Sequence, residues 1–196
     1  MRRRAAHSAG KLRIIGGSLR GSKIAVADLP GLRPTPDRVR ETLFNWLMPV
    51  IDGARCLDLF AGTGALGIEA LSRGAAWVDF VERDARLAQE LRSNLARLKQ
   101  ADAAVRSGDA ATMLNQPPAQ GYDIVFVDPP FSANLWDDIA RALDQGGWLR
   151  ANAQVYLEMP ASLQPALPAN WIAHREATAG AVRYALYRAG IASAKL

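Results

Sequence analysis

The sequence predicts an α/β domain built on a mostly parallel sheet, with a small β-hairpin extension at its N-terminal side. Three observations carry that expectation. Short runs rich in β-branched and aromatic residues alternate with longer segments whose apolar residues recur at helical spacing. The first of these runs enters a glycine-rich turn, Ala61-Gly62-Thr63-Gly64-Ala65-Leu66-Gly67, that opens a helix. A later run, Asp123-Ile124-Val125-Phe126-Val127, stops at Asp128-Pro129-Pro130-Phe131, where two prolines cannot continue a ladder and open α/β sheets bind their ligands.

In chain order, residues 12–17 and 23–26 flank Ser18-Leu19-Arg20-Gly21-Ser22 and read as a hairpin with a basic tip. A rigid connector, Gly31-Leu32-Arg33-Pro34-Thr35-Pro36-Asp37, leads into a helix over residues 38–48. Thr35 is expected to cap it and Pro36 to occupy its first position. Val39, Leu43, Phe44, Leu47 and Met48 supply its packing stripe, with Arg38, Arg40 and Glu41 on the accessible side.

Residues 55–60 form the first core strand, and residues 77–82 the second, ending in Glu82. Asp84 caps a long helix carrying Leu87, Leu91, Leu95 and Leu98. Residues 103–107 are a weaker third strand, followed by Gly108-Asp109-Ala110 and a helix with Met113 and Leu114. Residues 123–127 are the fourth strand. A helix containing Leu135, Trp136, Ile139 and Leu143 breaks at Gly146-Gly147, and residues 153–158 are the fifth strand. Residues 159–170 read as loop or short helix, and residues 171–176 and 182–188 as a terminal hairpin on the sheet edge. The boundaries this implies are a basic tail and hairpin over 1–32 and a main domain over 33–196.

Composition narrows the classes. A chain of 196 residues with net charge +5 is long enough to enclose one core and basic enough to bind nucleic acid, although any small basic domain scores alike. The distribution says more. Arg2, Arg3, Arg4, Lys11, Arg13, Arg20, Lys23, Arg33, Arg38 and Arg40 crowd the first fifth of the chain beside only Asp28 and Asp37, and arginine's planar fork suits phosphate. The single cysteine, Cys56, excludes an intramolecular disulfide framework and reads as a buried small hydrophobe. His7 and His174 stand far apart without a cysteine partner, so no metal site is expected. No apolar run reaches membrane-spanning length, and the basic residues 1–4 precede no apolar segment, so a cytoplasmic protein without a membrane partner is expected.

Gly62, Gly64 and Gly67 match the dinucleotide pattern, with Glu82 about twenty residues on. The same close backbone and ribose-binding carboxylate also serve S-adenosylmethionine. Asp58 favours the latter, because it would repel a pyrophosphate but attract the ammonium of a methionine moiety. Phe60 belongs to the same turn, and Asp109 and Ala110 lie where an adenine amino group would sit. Each acid also has a plain structural reading: Asp58 and Asp109 as caps, Glu82 paired with Arg83 or Arg86.

At the other strand end, Asp128 and the Pro129 carbonyl can accept from an exocyclic amine, which is a poor nucleophile until fixed in line with the sulfonium methyl. Pro129 and Pro130 stiffen that presentation, and Phe131 can stack on an extruded base. Trp136 is a second aromatic, more readily a core residue. No metal or covalent nucleophile is required.

Arg13-Ile14-Ile15-Gly16-Gly17, the block Arg33-Pro34-Thr35-Pro36-Asp37-Arg38-Val39-Arg40-Glu41-Thr42-Leu43-Phe44-Asn45-Trp46-Leu47, the turn from Asp58 to Gly67 and Asp128-Pro129-Pro130-Phe131 together resemble the bacterial small-subunit ribosomal RNA guanine-N2 methyltransferases of the RsmD type. The resemblance implies a Rossmann-like, seven-stranded class I S-adenosylmethionine-dependent methyltransferase, a three-layer sandwich whose last strand is antiparallel. It implies methylation of guanine 966 of 16S ribosomal RNA within the assembled 30S subunit, by a protein expected to be monomeric. By motif, Asp58, Phe60, Gly62, Gly64, Glu82, Asp109 and Ala110 would serve the cofactor and Asp128 to Phe131 the methylated amine. Arg13, Arg20, Lys23, Arg33, Thr35, Arg38 and Arg40 would face RNA. Pro36 stands where many relatives carry serine. An adenine-N6 methyltransferase and a non-enzymatic RNA-binding assembly protein are the competing readings. The first usually begins the tetrapeptide with asparagine, and the second does not require three acids at successive strand ends.

Overall fold

The computed structural model describes residues 10–26 and 35–190. Strands β1 (Gly10–Arg13) and β2 (Lys23–Val26) pair as an antiparallel hairpin. The main sheet contains β3 (Arg55–Asp58), β4 (Trp77–Glu82), β5 (Ala103–Ser107), β6 (Tyr122–Val127), β7 (Leu149–Pro160), β8 (Trp171–Ala179) and β9 (Val182–Ala189), in the spatial order β5-β4-β3-β6-β7-β9-β8. Pairing is parallel from β5 through β7, and β9 runs antiparallel to both of its neighbours. The helices are α1 (Asp37–Leu47), α2 (Ala65–Ser72), α3 (Ala85–Arg97), α4 (Ala110–Leu114) and α5 (Trp136–Gln145).

Strands covered on both faces read as unbroken apolar runs. Cys56, Leu57, Ile124, Val125, Phe126 and Val127 are accordingly without solvent exposure. Alternate residues serve two cores. Cys56, Phe80, Ile124, Phe126 and Tyr156 pack toward the hairpin and α1 to α3, whereas Leu57, Val81, Val125, Val127 and Leu157 pack toward α4 and α5. Helix α2 lies close against β4 because residue 67 is glycine: a Cβ there would sit 2.1 Å from Phe80 Cε1.

The hairpin shares the first core through Leu12, Ile14, Ile24 and Val26. The connection between its two strands is held by Glu69 of α2, a fully buried acid that accepts from Ile15 N and Gly16 N, each at 2.8 Å, and from Arg73 Nε at 2.8 Å. The backbone at Gly17 (φ +73°) passes so near the Ser72 carbonyl that a Cβ would lie 1.7 Å from its oxygen. On the other strand, Asn94 of α3 exchanges two 3.2 Å hydrogen bonds with the Ala25 backbone, taking the place of a third strand.

Several expectations require correction. Arg40 is not accessible: it is buried, donates to the Arg13 carbonyl (2.9 Å) and to Asp37 (2.7 Å), and faces Glu69 at 3.7 Å. A helical position beside α2 and the hairpin left that arginine no solvent; its Nη2 makes both hydrogen bonds, while its buried Nε and Nη1 make none among the described residues. Pro36 is the N-cap of α1 rather than its first residue, and Thr35 does not cap it. The fifth strand is longer than expected, because a register shift between Tyr122 and Ile124 lets β7 begin at Leu149. Met159 and Pro160 belong to β7, while residues 161–170 are loop, one of the two expected readings. Arg33 lies outside the described residues.

Breaking a buried ion pair by removing one partner costs about 3–5 kcal/mol, since the other charge is stranded. Glu69→Ala also orphans two backbone donors, so a urea denaturation midpoint corresponding to a loss of at least ~3 kcal/mol is expected. A loss below ~1 kcal/mol would show that the hairpin is not anchored this way.

Candidate active site

Chain order turns at β3: the polypeptide first fills β4 and β5 on one side, then crosses to β6 on the other. The crevice at such a switch point, beyond the carboxyl ends of the strands, is where open α/β sheets bind ligands. Five consecutive parallel strands here deliver an acid to that edge. Asp109 follows β5, Glu82 ends β4, Asp58 ends β3, Asp128 follows β6, and Glu158 lies near the end of β7.

Asp58 and Glu82 organise the glycine turn. Asp58 is buried, and its Oδ2 accepts from Gly67 N at 3.0 Å. Glu82 accepts from Gly62 N (2.8 Å) and Asp84 N (2.7 Å) rather than pairing with Arg83 or Arg86. Gly62 (φ +52°) and Gly64 (φ +78°) occupy the left-handed region that favours glycine. Burial pushes the Asp58 carboxyl up to about 7; the Gly67 hydrogen bond opposes this and the Glu82 charge adds to it. Phe60 is half-buried at the mouth of the turn. Asp109 caps α4 by accepting from Thr112 N at 2.9 Å, as Asp84 caps α3, and Ala110 is the buried first residue of α4.

Across the switch point, Asp128 is half-buried, Pro129 buried, and Pro130 and Phe131 exposed. Phe131 begins a single 3-10 turn, and its ring is 41% exposed, resting 6.0 Å from the Trp136 ring. Trp136 itself is core, donating its indole N–H to the Glu158 carbonyl at 2.8 Å. Burial, then the charges of Glu158 and Asp58, push the Asp128 carboxyl well up, against a hydrogen bond from the Thr35 hydroxyl. Thr35 is buried, and its hydroxyl holds the Glu158 carboxyl lower as well.

The basic residues divide. Arg13, Arg20 and Lys23 of the hairpin and Arg38 of α1 are exposed, whereas Arg40 is a buried strut. Sequence reasoning missed two groups at the acceptor edge, Glu158 and the Tyr156 hydroxyl that donates to its Oε2 at 2.9 Å. The available signal was an acid ending a strand that neighbours the Asp128 strand, but adjacency of β6 and β7 could not be counted from the sequence.

The model of the family described as conserved hypothetical protein 95 matches residues 12–188. Ribosomal RNA small subunit methyltransferase D of Escherichia coli K12 is 52% identical over 91% of this chain and 90% of its own length. The protein of that name from Haemophilus influenzae is 46% identical over 91% of this chain and 94% of its own. A solved Escherichia coli structure, described as a candidate methyltransferase, superposes with a TM-score of 0.85 at 51% identity, covering 92% of this chain and 99% of the other.

A carboxyl whose folded pKa is raised contributes stability that is present below its unfolded pKa and lost as pH rises through the folded one. For Asp58 the window runs from 3.8 to about 7. Asp58→Asn is therefore expected to stabilise the ligand-free protein at pH 8, by on the order of 1.4 kcal/mol for each pKa unit removed, and to do so much less at pH 5. Melting curves at the two pH values check this; an equal change at both would refute the burial argument.

Proposed function

The chain belongs to the ribosomal RNA small subunit methyltransferase D family, and from that premise we propose that its acceptor is the N2 amine of a guanine in 16S ribosomal RNA. Its fold is that of the class I S-adenosylmethionine-dependent methyltransferases. The proposed target is guanine 966, within the assembled 30S subunit, and the proposed working form is a cytoplasmic monomer.

The observation that carries the reading is the placement of Asp58 at the end of β3 and Asp128 just past the end of the adjacent β6, on either side of the switch point. The residues fit S-adenosylmethionine. Asp58 spends one oxygen on Gly67 N and keeps the other for an ammonium. Glu82 already touches the Gly62 backbone, where ribose hydroxyls would find an acceptor, and Asp109 and Ala110 border the adenine end. The cofactor supplies an activated methyl on a sulfonium, a leaving group that needs no protein nucleophile.

The chain's own residues handle the acceptor. Asp128 and the Pro129 carbonyl accept from the amine, directing its remaining lone pair and stabilising positive charge as it develops on nitrogen. Proline rings on both sides of the Pro129 carbonyl keep that acceptor in place without reorganisation. Phe131, exposed beside the edge, offers a face for the guanine ring. Arg13, Arg20, Lys23 and Arg38 are placed to meet phosphates around the extruded base, with Arg33 proposed beside them; Thr35 and Arg40 act within the protein.

Labelled methyl transfer to unmethylated 30S subunits and to free 16S RNA, followed by nucleoside mapping, tests the reading. N2-methylguanine at position 966 supports it, and N6-methyladenine overturns the acceptor assignment. Asp128→Ala should lower kcat by about 10²–10³ while leaving cofactor binding within a few fold. Comparable loss of both would make Asp128 structural. The double variant Arg13→Ala, Arg20→Ala should reduce the salt slope of RNA binding by about 0.7 for each phosphate contact removed, and an unchanged slope would exclude these contacts.

A further inference from the structure

Val127 of β6 and Leu157 of β7 are register partners in a parallel pair, so Asp128 and Glu158 stand on the next rung. Side chains at i and i+2 share a face. Asp128 therefore lies on the side of Phe126 and Glu158 on the side of Tyr156, two rings already in edge contact at 6.4 Å. Glu158 is buried, with Tyr156 donating to its Oε2 and Trp136 holding its carbonyl from the opposite face of the sheet. Asp58 of β3 adds a third carboxyl, and Tyr184 of β9 is the cross-strand partner of Glu158. Among the described residues none of these three acids is in an ion pair.

Thr35 decides how such a pair can exist. Its hydroxyl reaches both Asp128 and Glu158, yet a hydroxyl carries one proton. Donating to one carboxylate leaves only lone pairs facing the other. The contact is satisfied on both sides when one of the two carboxyls carries a proton. Adjacent carboxyls short of solvent favour the same state, because both cannot ionise at neutral pH without a compensating cation. In agreement, burial raises both groups; for Asp128 the charge of Glu158 is the next cause, while hydrogen bonds from Tyr156 and Thr35 hold Glu158 lower.

We propose that Glu158 is the positioning residue for Asp128, the two sharing a single proton so that one Asp128 oxygen is held as an acceptor toward the substrate amine. This rests on the guanine-N2 reading. In the transfer, the sulfonium C–S bond breaks with its electron pair going to sulfur, and the amine lone pair forms the N–C bond. The N–H bond then breaks, and its proton passes to Asp128. The pair, now doubly protonated, releases one proton to water as the product leaves. The pair titrates as a unit, so activity needs its singly protonated form.

The experiment compares wild type, Glu158→Gln and Glu158→Ala on unmethylated 30S subunits with labelled S-adenosylmethionine across pH 5 to 9, with cofactor affinity and melting temperature measured alongside. Gln is nearly isosteric, accepts from Tyr156, and stands permanently for the protonated form. With no second proton left for the pair to lose, the basic limb of kcat should move up by about one pH unit or more while the acidic limb stays in place, with KM for the subunit unchanged. Glu158→Ala should lose at least tenfold in kcat at neutral pH, with Gln restoring most of it. An unmoved basic limb in the Gln variant, or Gln as damaging as Ala, overturns the assignment even if Ala fails to fold. Wild-type transfer separates the two claims. Its absence overturns the guanine reading and this proposal together, whereas intact wild-type transfer with an unmoved limb overturns this proposal alone.

Discussion

The carboxylate of Glu69 is the contact on which the placement of the acceptor edge depends. Its oxygens receive two backbone amides from the connection between the hairpin strands and the Arg73 guanidinium, with the Arg40 guanidinium just beyond. Arg40 in turn grips the Arg13 carbonyl and Asp37, so hairpin, α1 and α2 meet at one ion pair without solvent. Fixing the first turn of α1 also fixes Thr35, two residues earlier, against Asp128 and Glu158. A group far from any chemistry thus sets where a hydroxyl enters the site. Such pairs contribute little net stability against an apolar alternative, but they tolerate no loss of a single member.

The electrostatic layout separates two tasks. Acids line the carboxyl ends of five strands, where a cationic cofactor and an amine donor would be held. Exposed Lys11, Arg13, Arg20 and Lys23 lie on the hairpin and exposed Arg38 on α1. An RNA phosphate drawn by the second group is repelled by the first, which leaves a neutral base as the part of the nucleotide best suited to enter the edge. The exposed ring of Phe131 stands at that boundary.

What could be read from the sequence follows from what periodicity encodes. Continuous apolar runs revealed β3 and β6, and the spacing of Leu87, Leu91 and Leu95 revealed α3 with its Asp84 cap, because each pattern is local. The glycine turn and the Asp128 tetrapeptide were legible for the same reason. Depth was not. Arg40 occupies a helical position that pattern alone leaves outside, and only the hairpin packed over it makes it core. Thr35 has the chemistry and position of a cap, but two carboxyls from distant strands claim its hydroxyl. Glu158 passed unnoticed because its meaning comes from the strand beside it, and that adjacency is a property of topology.

The anchoring of the hairpin bears on how the chain is made. Its strands leave the ribosome before the helices that hold them: Glu69 follows its Ile15 partner by 54 residues and Asn94 follows Ala25 by 69. Until α2 and α3 emerge, the apolar face formed by Leu12, Ile14, Ile24 and Val26 has nothing to cover it. A nascent chain in that state is open to aggregation and to capture by chaperones. Slower translation between the hairpin and α3 would lengthen that exposure, whereas completion of α3 would end it.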